Sequence, residues 1–255
     1  MIGSIAGDII GSVYEHENAT TLDFPLFRPS SRFTDDTVLT VAVADCLLNG
    51  GNYSEKFESF YYRYPNAGYG AKFHDWAGSR EHKPYNSWGN GSAMRVAPIG
   101  YALNDLQLVL DEAKKSAEVT HDHPEGIKGA QAVAAAIFMA RSGKSKSDIK
   151  KFVESVFAYD LSRTLAQIKP TYQFDLSCQR TVPQAITAFL ESSDFEDAIR
   201  KAIYLGGDSD TLACITGGIA EAFYKKIPEP ILEQTFKKLD EELSGVVWKF
   251  AAKFG

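Results

Sequence analysis

Apolar residues recur three and four positions apart along most of the chain, which is the period of an amphipathic helix. The pattern predicts helices over residues 2–14, 36–49, 54–63, 91–103, 106–120, 125–142, 146–158, 182–191, 195–204, 210–225 and 229–252. The alanine-rich run 130–140 predicts a tightly packed central helix, and 229–252 has the separated apolar and charged faces of a surface helix. Convincing alternating strands are absent, and only 166–178 is compatible with an isolated extended segment. The expected fold is therefore all-α, with one compact multi-helix domain over residues 1–255.

Residues 64–92 interrupt this pattern with many glycines, asparagines and aromatic residues. A connection of this length in a compact domain is usually functional or disordered, and its aromatic content argues against disorder. The aromatic residues are Tyr69, Phe73, Trp76, Tyr85 and Trp88. Two interpretations are open for them, since they can stack on a bound ring or anchor the loop to the core.

Composition narrows the class of protein. The 255 residues carry a net charge of −6, which gives no bulk attraction for nucleic acid or anionic membranes but leaves a local site for a small anion possible. Cys46, Cys178 and Cys214 are widely spaced, and we expect buried free thiols in a reducing compartment. With no signal-peptide pattern and no membrane-length apolar run, we expect a cytoplasmic protein, with a monomer favoured.

Two clusters of carboxylates and hydroxyls stand where predicted helices begin. The first is Thr34-Asp35-Asp36-Thr37, and the second contains Asp208, Asp210 and Thr211 after two glycines. Either cluster alone is explained by helix capping and by the helix dipole. Two such clusters favour a cation site over capping alone, because a helix start needs only one capping oxygen. Hard divalent cations, in contrast, bind several carboxylate and hydroxyl oxygens. Thr37 can act as a cap or as a ligand.

The first predicted helix carries glycines at positions 3, 7 and 11, which form a smooth face for close helix packing. Asp8 and Glu15 lie seven residues apart, on the same side of that helix. A carboxylate in so apolar a helix needs a buried partner or a role near a metal. Glu15 stands at the end of the helix, where the dipole disfavours it.

Three segments together resemble the ADP-ribosylglycohydrolase family, whose members are magnesium-dependent all-α hydrolases. They are Gly7-Asp8 with Gly11 and Glu15, then Phe33 to Thr37, then Gly206 to Thr211. The resemblance implies two Mg²⁺ ions, with Mn²⁺ able to substitute. It implies one ion held by Thr34, Asp35, Asp36 and Asp210, and another held by Glu15, Asp208, Asp210 and Thr211. Asp210 would bridge the ions, and Asp8 would support the ligands from behind.

The resemblance also implies a binding surface for substrate. Residues 89–100 resemble the family's glycine-rich loop that cradles the diphosphate of ADP-ribose, and 120–126 resemble its Thr-His segment. The implied substrate-binding residues are Asn90, Gly91, Ser92, Met94 and His121. Arg95 is compatible with a phosphate contact or with a structural ion pair. Glu221 departs from the glycine that the family often has, which predicts a difference in helix packing.

The expected function is hydrolysis of the glycosidic bond at the distal ribose, releasing ADP-ribose from a modified protein side chain, nucleic acid or small ester. Glu15, or one of Asp35 and Asp36, would be the catalytic base. A hydrolase of another nucleotide or nucleoside sugar is an alternative, and so is a module that binds ADP-ribose without turnover. A structural protein that binds no divalent ion is the remaining class.

Overall fold

The computed structural model describes residues 1–255 and is built from helices around one extensive apolar core. The helices are α1 Ile2–Gly11, α2 Asp35–Asn49, α3 Tyr53–Arg63, α4 Ala71–Ala77, α5 Gly91–Met94, α6 Ala97–Ala102, α7 Leu106–Glu118, α8 Pro124–Arg141, α9 Lys146–Phe157, α10 Leu165–Ile168, α11 Cys178–Glu191, α12 Phe195–Leu205, α13 Ser209–Tyr224, α14 Glu229–Lys238 and α15 Glu241–Phe254. A 3₁₀ turn, Lys169–Thr171, follows α10. There is no sheet, only an isolated bridge between Gly89 and Ser177. The predicted all-α class is confirmed.

Helix α13 is the centre of the fold and is buried along nearly all of its length. It contacts α1, α12, α11 and α8, so most of the molecule is arranged around it. The alanine-rich helix α8 is likewise buried through its middle and packs between α7, α13 and α6. Small side chains let these helices approach closely, as the alanine run predicted.

The glycines of α1 allow it to lie directly on the backbone of α13. A Cβ atom at Gly7 would collide with the carbonyl oxygen of Ala213, and one at Gly11 would lie 2.5 Å from the Cα of Asp210. At the other end of the pair, Glu221 accepts a 2.8 Å hydrogen bond from the backbone N–H of Gly3. This carboxylate therefore supplies an acceptor for the start of α1.

Several helix boundaries differ from those predicted. The single surface helix expected over 229–252 is two helices, because Asp240 caps a new start and accepts a 2.9 Å hydrogen bond from the N–H of Leu243. The helix expected over 91–103 is also two, α5 and α6, and Pro98 stands in the first turn of the second. Helix α11 begins four residues earlier than predicted, at Cys178. The spacing of apolar residues does not reveal where one helix ends and the next begins, because the same period continues across the boundary.

The segment 64–92 is ordered by its own aromatic residues and contains helix α4, which the pattern did not predict. Tyr69, Phe73 and Trp76 are buried, and the rings of Tyr69 and Phe73 stack with centroids 5.1 Å apart. These three anchor the loop to the core. Tyr85 is half-buried and Trp88 is about half exposed, so neither is a core anchor of that kind.

The segment 166–178 is only partly extended. Its first residues form α10 and the 3₁₀ turn, and the extended part then leads to the bridge at Ser177. All three cysteines are buried and unpaired, as expected. None of the helices combines the length and the apolar character that crossing a membrane requires.

Alanine at Gly7 should destabilise the fold by about 1–3 kcal/mol or more, because the added methyl group forces α1 away from α13. Gly245 is the matched control, since it lies inside α15 with no atom within 4 Å of the position of its Cβ. Gly245→Ala should stabilise by about 0.5–1 kcal/mol. Denaturant unfolding of both variants measures the difference, and equal effects would contradict the packing argument.

Candidate active site

Two helix starts and the end of α1 meet at one place. Thr34 caps α2, and its hydroxyl accepts a 3.3 Å hydrogen bond from the N–H of Asp36. Before α13, Gly206 and Gly207 take φ angles of +80° and +77°, which glycine adopts without strain. The resulting turn is held by the side chain of Asn18, which accepts a 3.0 Å hydrogen bond from the N–H of Gly207. This turn places Asp208 and Asp210 opposite the start of α2.

Five carboxylates form two overlapping groups, and Asp210 belongs to both. In one group, oxygens of Asp8, Asp36 and Asp210 all lie within 4.8 Å of one another. In the other, the same is true of Glu15, Asp208 and Asp210. The second group corresponds to the second ligand set that the resemblance implied. The first contains Asp8 in addition to Asp36, whereas Asp35 lines the cavity beside them.

Asp8 is fully buried and ties α1 to the start of α2. Its carboxylate accepts hydrogen bonds from the N–H of Thr34 at 2.9 Å and from the Thr34 hydroxyl at 2.7 Å. It also accepts from the N–H of Thr37 at 3.1 Å and from the Thr37 hydroxyl. With four donors already engaged, Asp8 acts as a support for the neighbouring acidic residues. The Thr37 hydroxyl is directed at Asp8, so it neither caps its own helix nor faces the other carboxylates.

Thr211 links the two sides of the site. Its hydroxyl donates to Asp36 over 3.2 Å, and its N–H donates to Asp210 over 3.0 Å. The other oxygen of Asp36, Oδ1, is buried and has no hydrogen-bond partner. A buried carboxylate oxygen without a donor is costly, and a cation would relieve that cost.

The carboxylates also lack counter-charges from the protein. No lysine or arginine forms an ion pair with Asp8, Asp35, Asp36, Asp208 or Asp210. Burial, followed by the charge of Asp210, raises the pKa of Asp8 to about 7. Burial and neighbouring carboxylates likewise raise the pKa values of Asp35, Asp36 and Asp208, and that of Glu15. Shared oxygen ligands and uncompensated negative charge fit hard divalent cations.

A cavity of about 400 Å³ opens over these residues. Of the residues predicted at the metal site, all seven line it: Glu15, Thr34, Asp35, Asp36, Asp208, Asp210 and Thr211. The lining also includes Asn90, Gly91, Met94 and His121, which form the loop wall of the cavity, whereas the seven residues above form its acidic wall. One cavity therefore brings the acidic groups together with the glycine-rich loop.

Asn90 joins the two walls of the cavity. Its amide donates to Asp208 over 2.5 Å and to the hydroxyl of Thr181 over 3.1 Å. The N–H groups of Gly91 and Ser92 donate to no group of the protein. The side chain of Ser92, in contrast, is turned into the core, where its hydroxyl donates to the carbonyl of Gly126 over 2.7 Å. Ser92 thus offers the cavity at most its backbone.

Some cavity residues were not found from the sequence: Ser12, Arg32, Phe73, Tyr85, Phe174 and Leu176. Phe73 and Tyr85 belong to the aromatic loop, so a signal for them existed. Phe174 and Leu176 come from the segment that looked extended and are half exposed, and nothing in the local pattern connects them with this site. His123 proves to be the cap of α8, accepting a hydrogen bond from the N–H of Glu125.

The chain matches the family model described as ADP-ribosylglycohydrolase over residues 1–254. The chain belongs to the ADP-ribosylglycohydrolase family. The predicted family and enzyme class, an ADP-ribosylhydrolase, are thus confirmed. The family is metal-dependent, and the clustered carboxylates described above are able to serve as metal ligands.

Relatives of this family align with most of the chain. ADP-ribosylhydrolase ARH3 of Gallus gallus is 28% identical, with 94% of this chain and 89% of that protein covered. ADP-ribosylhydrolase ARH3 of Homo sapiens is 28% identical, covering 90% and 86%. ADP-ribosylarginine hydrolase Tri1 of Pseudomonas putida is 24% identical, covering 88% and 69%. A solved structure entitled ADP-ribosylglycohydrolase-related protein complex superposes with a TM-score of 0.76 at 22% identity, covering 100% and 96%, and supports the fold.

Without divalent cations, the acidic site should make the protein less stable as the pH rises. The raised folded-state pKa values of Asp8 and Asp36 mean that the folded protein holds more protons than the unfolded chain between about pH 4 and pH 7. Their contribution to stability is therefore present at low pH and is lost as the pH rises through the folded-state values. Asp36→Asn removes one such charge, so its stability relative to wild type should increase from pH 4.5 to 7.5, one pKa unit corresponding to about 1.4 kcal/mol.

Urea unfolding in the presence of a chelator at the two pH values measures this change. Asp75→Asn, at an exposed position on α4, is the control and should follow the wild type. Parallel pH profiles for wild type and Asp36→Asn would show that Asp36 keeps an ordinary pKa.

Proposed function

We propose that this protein hydrolyses the glycosidic bond at the distal ribose of an ADP-ribosyl group and releases ADP-ribose from its acceptor. The observation that carries the proposal is the cavity in which Asp210 joins two carboxylate groups on one wall while a glycine loop with free N–H groups forms the other. The acidic wall suits cations that hold sugar hydroxyls. The loop suits a diphosphate, because free backbone N–H groups bind anions.

The cofactor we propose is a pair of Mg²⁺ ions, with Mn²⁺ able to substitute. Carboxylate and hydroxyl oxygens are the ligands that both ions accept. The proposed ligands of one ion are Thr34, Asp35, Asp36 and Asp210, and those of the other are Glu15, Asp208, Asp210 and Thr211. When bound, the ions would supply Lewis acidity for the activation of water and neutralise the carboxylates.

The protein's own residues have distinct tasks in this mechanism. Glu15 is half-buried at the edge of the cavity, where its carboxylate can accept a proton from the attacking water. Asp35 and Asp36 help to orient the reacting sugar and can serve as the base in its place. Asp8 fixes Thr34 and thereby the start of α2, while Asn90 holds Asp208. Fixing these groups before substrate arrives favours the oxocarbenium-like transition state of glycosidic cleavage.

The acceptor is tested with a panel of substrates. ADP-ribosylated arginine and serine peptides, an ADP-ribosylated nucleic-acid end and an ADP-ribosyl ester are incubated with Mg²⁺ or with chelator. Release of ADP-ribose that chelator abolishes supports the proposal, and the acceptor that is cleared identifies the bond. Tight binding of ADP-ribose without any release would instead favour a binding module. A protein that binds neither ADP-ribose nor a divalent ion would overturn the proposal.

Asp210→Asn should lower the rate of Mg²⁺-dependent release by more than about a hundredfold, because it removes the carboxylate shared by both groups. Asp35→Asn should have an effect of similar size. Circular dichroism should show that both variants keep their helices. Asp75→Asn is the control for a surface aspartate and should retain wild-type turnover. Near-normal activity of Asp210→Asn would rule out the two-ion assignment.

A further inference from the structure

His121 is buried in the wall of the cavity, with its ring edge against the glycine loop. Its Nε2 atom would lie 3.2 Å from a Cβ at Gly91 and 3.5 Å from one at Gly89. On its other side the ring packs near Tyr85, with centroids 5.7 Å apart. Nε2 therefore faces the part of the cavity where the loop leaves N–H groups free.

The other ring nitrogen of His121 ends a short chain of hydrogen bonds that begins at Arg95. The Nη2 group of Arg95 lies 2.9 Å from the hydroxyl oxygen of Thr120, and that oxygen lies 2.7 Å from Nδ1 of His121. An arginine only donates, so the Thr120 oxygen accepts from Arg95. Thr120 keeps one hydroxyl hydrogen, and when that hydrogen points to Nδ1 the ring nitrogen accepts it. In a neutral imidazole the proton is consequently on Nε2.

Arg95 is itself held rigidly and is not part of an ion pair. It is completely buried, its Nη2 group also donates to the carbonyl of Ser116 over 2.6 Å, and its guanidinium lies 4.2 Å from the ring centre of Phe57. No carboxylate pairs with it, and its Nε and Nη1 atoms have no hydrogen-bond partner. Of the two roles left open for Arg95, the structural ion pair is therefore wrong. Burying a cation without a counter-charge costs free energy, so we expect Arg95 to have a functional role at this position.

The charge of Arg95 also acts on the imidazole directly. Burial and then this nearby charge lower the pKa of His121 well below its ordinary value. The hydrogen-bond chain and the electrostatics thus favour the same state of the ring, uncharged and with one acceptor and one donor.

We infer that Arg95 and Thr120 are positioning residues, which hold His121 as the Nε2–H tautomer so that it donates a hydrogen bond to an anionic oxygen of the ligand in the cavity. The part about the ligand rests on the proposed function, in which that oxygen belongs to the diphosphate of ADP-ribose. The part about the tautomer concerns the protein alone. The two parts are separated by experiment.

The tautomer is measured by ¹⁵N NMR of the histidine rings in the metal-free protein, which has five histidines; His121 is identified by the signal missing from His121→Gln. We expect the Nε2–H form in the wild type. Thr120→Val keeps the shape of the side chain but removes the hydroxyl, and should move the tautomer equilibrium from the Nε2–H form toward that of an imidazole in water. Thr120→Ser restores the hydroxyl and should restore the wild-type tautomer.

Affinity for ADP-ribose is then measured by calorimetry on the same variants. His121→Ala and Thr120→Val should each weaken binding about tenfold, the loss expected for one hydrogen bond to a charged group. Thr120→Ser should bind nearly as well as the wild type. If Thr120→Ser were as weak as Thr120→Val, Thr120 would have only a packing role and the inference would fail.

Three further results decide the case. An Nδ1–H tautomer in the wild type overturns the inference even if no variant folds. Unchanged ADP-ribose affinity in Thr120→Val, with a changed tautomer, overturns the donation to ligand. If the wild type shows the Nε2–H tautomer but binds no ADP-ribose, the proposed function is contradicted. The inference that Arg95 and Thr120 position His121 is then still supported.

Discussion

The close packing of α1 on α13 is the contact on which the candidate site depends. Glycines at positions 7 and 11 bring the two backbones together, and a side chain at either position would collide with the backbone of α13. This approach brings Asp8 and Glu15 close to Asp208 and Asp210 at the start of α13. A looser packing of the same helices would separate the acidic residues by the width of a side chain. The apolar core thus fixes the spacing of charges that would otherwise move apart.

The short distances between these carboxylates are electrostatically unfavourable. Burial, and then repulsion between neighbouring carboxylates that have no lysine or arginine partner, raises the pKa values of Asp8, Asp36 and Asp208. The protein compensates in part with hydrogen bonds, as in the four donors around Asp8 and the Thr211 hydroxyl on Asp36. Oxygen atoms left without donors, such as Oδ1 of Asp36, are what a cation site requires. Fold stability and cation binding are consequently linked in this protein.

The two walls of the cavity are not independent. Asn90 belongs to the glycine loop, yet its amide holds Asp208 on the acidic wall. On the same loop wall, His121 is connected through Thr120 to the buried Arg95. Asp208 and His121 are thus each held by a hydrogen bond from a neighbouring side chain. A ligand that spans the cavity would therefore meet groups whose directions are set before it arrives.

The amino-acid sequence by itself determined the all-α class, the family and which acidic residues are candidates for the site. Glycine spacing, helix-start chemistry and apolar period are local properties, so they can be read directly from the order of the residues. The tertiary structure decided that Asp8 lies within 4.8 Å of Asp36 and Asp210, that Ser92 turns into the core and that Arg95 has no acidic partner. It also divided the C-terminal segment at Asp240 and folded α4 within the aromatic loop. These facts depend on which residues distant in the chain come within a few ångströms of one another, and the local period does not contain that information.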